Sequence, residues 1–158
     1  MRKAMGALLL MIGLAGAAQA DVAKKPPYWA SITAGQARMR TGPGRNFPAS
    51  WLYQRAGLPL KVVEIYQSWR KVQDPDGAEG WLLVHLLGDK RTAMIKDAPK
   101  PLRVSPDRES RVAWMAAPGV VGRISHCANG WCNFDAGGRA GYVEIADIWG
   151  VDPGEQVP

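Results

Sequence analysis

Two thiols, Cys127 and Cys132, enclose Ala128-Asn129-Gly130-Trp131, and His126 stands beside the first. Three chemistries suit such a cluster: a covalent bridge, a metal centre, or a nucleophilic thiolate. A metal centre wants further ligands, but the other histidine, His85, is distant and there is no second cysteine pair. A nucleophilic cysteine wants a histidine poised by a third group, and nothing in the pattern marks one. The bridge has positive support, because Asn-Gly is the strongest short signal for a two-residue hairpin turn. Ala128 would then face Trp131, and the next pair out, Cys127 with Cys132, would occupy a non-hydrogen-bonded site with Cα atoms about 4.5 Å apart. That separation lies at the short end of disulfide range. The expectation is a disulfide between Cys127 and Cys132 with Trp131 on the opposite face, no metal and no cofactor.

Other groups could also do chemistry. Tyr66 should face Trp69 if Gln67-Ser68 turns the chain, which would give an aromatic pair on one face. The carboxylates of Asp74-Pro75-Asp76-Gly77 invite a calcium reading, although turn chemistry alone accounts for every residue there. No Asp or Glu pair is spaced as a hydrolytic acid and base would be.

The ends of the chain set the compartment. Met1-Arg2-Lys3 is followed by an apolar run from Ala4 to Ala15, and Ala18-Gln19-Ala20 precedes Asp21. This has the form of a secretory leader cleaved after residue 20, too short for a membrane span of about 20 apolar residues. A periplasmic or secreted chain would pass through an oxidising compartment, where disulfides persist. Losing Arg2 and Lys3 leaves 18 of the 20 basic residues against 14 acidic, a formal charge of +4 instead of +6. Export makes nucleic acid an improbable partner, and the positive balance suits solubility as well as anionic envelope material or acidic protein surfaces.

These residues are carried by short β-type runs separated by Gly and Pro, with no stretch of helical period. After a linker over 21–27 the runs are Trp29 to Thr33, Ala37 to Arg40, Trp51 to Gln54, Leu58 to Tyr66, Trp69 to Gln73 and Gly80 to Val84. A second set covers Leu102 to Val104, Val112 to Ala116, Val120 to Cys127, Trp131 to Asp135, Gly141 to Ile145 and Trp149 to Val151. Gly57 and Trp69 are 12 positions apart, as are Gly119 and Trp131, so the sets are copies of one unit. Ile65 and Arg70 hold the places of the two cysteines, so only the second copy can be stapled. The prolines between Lys96 and Pro101 suggest units over 28–97 and 98–152, with a tail over 153–158. Arg40 and Arg103 take equivalent places before the long loops, as carboxylate clamps or as anchors bonding loop carbonyls.

Met39-Arg40-Thr41-Gly42-Pro43-Gly44, Gly57, Trp69-Arg70-Lys71-Val72 and Gly80-Trp81-Leu82, echoed by Leu102-Arg103, Gly119, Trp131-Cys132-Asn133-Phe134 and Gly141-Tyr142-Val143, resemble the bacterial SH3-like family. The resemblance implies an all-β chain of two small SH3-like barrels in tandem, each of five or six strands. It also implies a binding module for peptidoglycan or an envelope peptide or protein, rather than an enzyme, with grooves at Trp69 and Trp131. The candidate ligand-binding residues are Arg40, Tyr66, Trp69, Trp81, Trp131 and Tyr142. An assembly role, with aromatic surfaces buried between the barrels, is the alternative. Two departures stand out: the opening is Ala37-Arg38-Met39-Arg40, and Leu86 takes the place of the late tyrosine of eukaryotic SH3 domains. Both argue against a polyproline ligand.

Overall fold

The computed structural model describes residues 24–158; the expected leader and the first residues of the linker lie outside them. Fourteen strands form two sheets of seven. The first contains β1 (Tyr28–Ile32), β2 (Ala37–Arg40), β3 (Ala49–Tyr53), β4 (Pro59–Tyr66), β5 (Trp69–Gln73), β6 (Glu79–Leu83) and β7 (Leu87–Gly88), with a 3-10 turn at Val84–Leu86. The second contains β8 (Thr92–Ile95), β9 (Lys100–Arg103), β10 (Val112–Ala116), β11 (Val121–Ala128), β12 (Trp131–Ala136), β13 (Arg139–Glu144) and β14 (Ile148–Trp149), with a 3-10 turn at Ile145–Asp147. The orders are β3-β2-β6-β5-β4-β1-β7 and β10-β9-β13-β12-β11-β8-β14, so the repeat holds strand for strand. Each barrel has seven strands rather than five or six.

Two boundaries differ from the sequence expectation. Thr92–Ile95 was expected in the first unit, yet it pairs with β11 and β14 and opens the second barrel. Its place matches that of β1: Gly57 N–H donates to Ile32 O, and Gly119 N–H donates to Ile95 O. The prolines that suggested a boundary fall after this strand. Residues 153–158, expected as a tail, return to the second barrel: Val157 exchanges backbone hydrogen bonds with Cys127 and is buried. The apolar side chain of Val157 supplies the reason, and a pair of hydrogen bonds from Arg91 to Glu155, at 2.6 and 3.1 Å, fixes the turn before it.

Burial alternates along β2 and β12 as a half-buried sheet requires, whereas β1 is buried along nearly its whole length. Ile32, Met39, Leu60, Val62, Val72 and Leu82 fill the first core; Ile95, Leu102, Ile124, Phe134 and Val143 fill the second, with both cysteines among them. The cores differ by a size exchange. Leu60 and Val72 correspond to Gly122 and Phe134, and a Cβ on Gly122 would lie 2.5 Å from the Phe134 ring. The barrels also touch. Thr92 Oγ1 donates to Gly57 O at 2.7 Å, Lys61 pairs with Asp152 at 2.7 Å, and Trp29 meets Trp149 edge to face with centroids 5.0 Å apart.

Candidate functional site

The first groove lies beside Trp69, which opens β5 and is only 7% exposed. Tyr66 faces it across the Gln67-Ser68 turn in the expected register, half in solvent. Arg38 and Arg40 are two residues apart on β2, so both side chains leave on one face of the sheet. With Arg45 from the loop between β2 and β3, they line a concavity of about 290 Å³ together with Trp69, Leu52, Leu83, Gln36, His85 and Leu86. Three guanidinium groups, charged at any physiological pH, and no carboxylate make this lining strongly electropositive. The Arg40 side chain is partly engaged: its Nη1 donates to Phe47 O at 2.7 Å and so holds the loop. Arg103 does the same in the second barrel, donating to Ser110 O at 2.6 Å. Both arginines therefore anchor their loops, and Arg40 also faces the groove.

The second groove has a different charge. Trp131 opens β12 and lines a concavity of about 320 Å³ with Tyr142, His126, Ala128, Asn129 and Pro106. Glu144 stands opposite Trp131 in the ladder and accepts from Arg108 at 2.9 and 2.6 Å. The hydrogen bond from Arg108 holds the Glu144 carboxyl below the usual glutamate range. The residues that line the second groove include no Lys, Arg, Asp or Glu, where the first groove is cationic.

Of the six expected binding residues, Arg40 and Trp69 meet in the first groove with Tyr66 at its margin, and Trp131 and Tyr142 meet in the second. Trp81 is 8% exposed, lies between Lys71 and Arg40 in the ladder, and lines neither groove. Arg38, Arg45 and His85 were not anticipated. Arg38 was legible, since strand period alone puts it on the face of Arg40; Arg45 depends on how the loop folds back. A further cleft of about 480 Å³ at the seam, lined in part by Trp29, Lys61 and Trp149, required knowledge of how the barrels meet.

The turn chemistry is resolved as well. Asp74 accepts from the backbone N–H of Asp76 and Ala78 and from the Tyr53 hydroxyl, so its carboxylate is spent on the turn. Asn129 and Gly130 both have positive φ, Ala128 faces Trp131, and Cys127 and Cys132 are bridged with Cα atoms 4.1 Å apart. The bridge occupies both cysteines and lies in the core, while Trp131 lines the groove.

The two barrels, each with this strand order, coincide with two matches to one family model. The bacterial SH3 domain model matches residues 33–87 and again 96–150, well over half the chain. The chain belongs to the bacterial SH3 domain family. Each matched segment begins just after the first strand of its barrel, which accounts for Thr92–Ile95 escaping the sequence pattern. No curated protein matches the chain. Among solved structures, NlpC1 from Trichomonas vaginalis is similar at 10% identity and a TM-score of 0.36, over 80% of this chain and 46% of that one. NlpC2 from the same organism gives 12% and 0.35, over 80% and 51%. An NlpC/P60 family protein from Bacillus cereus gives 11% and 0.35, over 77% and 56%. The chain thus spans about half the length of these structures. Bacterial SH3 domains are binding modules, so the two grooves are its candidate functional sites.

Proposed function

We propose that this is an exported, non-enzymatic protein that binds peptidoglycan, or a peptide of the envelope, through the groove beside Trp69. The observation carrying this is the convergence of Arg38, Arg40 and Arg45 on one aromatic-floored groove lined by no carboxylate. A guanidinium takes a carboxylate through two parallel hydrogen bonds, and an indole face suits the flat backbone of a peptide or sugar. The carboxylates of a wall stem peptide fit that chemistry. Guanidinium groups are fixed charges rather than proton-transfer groups, and both cysteines are consumed by the disulfide, which favours binding over turnover. An assembly role draws separate support from Trp29 and Trp149, packed edge to face at the seam between the barrels.

The test is cosedimentation of the mature protein with purified peptidoglycan, comparing wild type with the exposed double variant Arg38→Gln/Arg45→Gln. Wild type is expected to pellet and to leave the wall intact, and the folded variant to remain in the supernatant. Equal pelleting of both would place recognition elsewhere. Failure of wild type to pellet would favour the assembly role, and release of soluble wall fragments would make the protein an enzyme.

A further inference from the structure

The two copies differ at a tryptophan outside the grooves. Trp51 on β3 and Trp114 on β10 hold the same ladder position, facing Met39 and Leu102 respectively. Both strands are sheet edges. Trp114 is covered: the Arg139 guanidinium lies 4.5 Å from its ring centroid, and its indole N–H donates to Ala140 O at 3.3 Å. Trp51 is 60% exposed, and no cation of the described residues lies over it. Register gives the cause. Tyr142 faces Arg103 as Trp81 faces Arg40, so Ala140 corresponds to Glu79 and Arg139 to Ala78. In the first barrel a methyl group stands where the second has its guanidinium.

We propose that the bare face of Trp51 receives an arginine side chain of a protein partner, in the place that Arg139 fills over Trp114. The second copy shows what this surface accepts. The charge beside it has the matching sign, because Asp74 and Asp76 occupy the adjoining turn between β5 and β6, while Glu79 at the start of β6 is paired with Lys71 at 3.2 Å. The fields of Asp74 and Asp76 both reach Tyr53, two residues from Trp51 on the same face of β3. A cation over an indole is attracted by the negative face of the ring, and arginine exploits this more often than lysine. Leu52, the intervening residue, points the other way into the cationic groove, so the two surfaces lie on opposite faces of β3 and carry opposite charge.

The experiment is an NMR titration of the full mature chain with N-acetyl-arginine amide, following the tryptophan indole N–H resonances assigned by single Trp→Phe variants. The uncharged N-acetyl-citrulline amide serves as control. A saturable shift at Trp51, absent at Trp114 and at least about fivefold weaker with the citrulline probe, is expected. Ala78→Arg, an exposed substitution that copies the second barrel, should abolish the Trp51 response, and Arg139→Ala should create one at Trp114. No saturable shift at Trp51, or an undiminished one in Ala78→Arg, would overturn the proposal.

Discussion

The Tyr53 hydroxyl donates to Asp74 at 2.9 Å, tying the strand that carries Leu52 to the turn between β5 and β6. Burial is the main cause that pushes the phenol well above the ordinary tyrosine range, with the Asp74 hydrogen bond and the charges of Asp74 and Asp76 adding to it. An acid whose folded pKa is raised contributes stability that is fully present below its unfolded value, about 10, and is lost as pH rises beyond it. Denaturant unfolding should therefore show stability falling above about pH 10. Tyr53→Phe should blunt that fall at a cost of about 1 kcal/mol at neutral pH. An equally steep alkaline loss in the variant would assign it to another group.

Glycines ahead of the aromatic residues on β6 and β13 let these strands approach β2 and β9. A Cβ on Gly80 would lie 2.5 Å from Met39 Cγ and 2.9 Å from the carbonyl oxygen of Arg40; on Gly141 it would lie 2.8 Å from Leu102 Cβ. A carbonyl oxygen in a ladder has little room to move, so Gly80→Ala should cost about 1–3 kcal/mol, measured as a lowered urea midpoint. It should also weaken wall binding by displacing Arg40, and an unchanged midpoint would mean that the ladder yields freely. These glycine-aromatic pairs were legible from sequence, as were most of the strand runs, because they recur in both copies; the Asn129-Gly130 turn and the disulfide, confined to the second copy, were legible from the geometry of a two-residue hairpin turn. Thr92–Ile95 was not, because four residues between charged neighbours carry no turn signal and take their meaning from distant pairing with β11. Val157 was hidden for the same reason. The sequence also suggested Trp81 as a binding residue, but its place between Lys71 and Arg40 turns a motif aromatic into packing.

Duplication has given two barrels of one topology and different surfaces. The first keeps a cationic groove and an open indole; the second has a groove lined by no Lys, Arg, Asp or Glu, a capped indole and a disulfide through its core. Their seam is made by Trp29 against Trp149, Lys61 with Asp152, and Thr92 bonded to Gly57. Among the described residues no helix is long and apolar enough to cross a membrane. The asymmetry implies that one groove, not two, provides most of the affinity for an anionic ligand. It also implies that binding weakens with salt, as partly exposed charges are screened over about 8–10 Å at physiological ionic strength. The most direct measurement is an NMR titration with a soluble muramyl peptide bearing free stem carboxylates, read at the indole resonances of Trp69 and Trp131 at two salt concentrations. Saturable, salt-sensitive shifts at Trp69 and the Arg38 and Arg45 amides, with Trp131 little changed, are predicted. Shifts confined to Trp131 or to the seam, or none at Trp69, would contradict a function centred on the first groove.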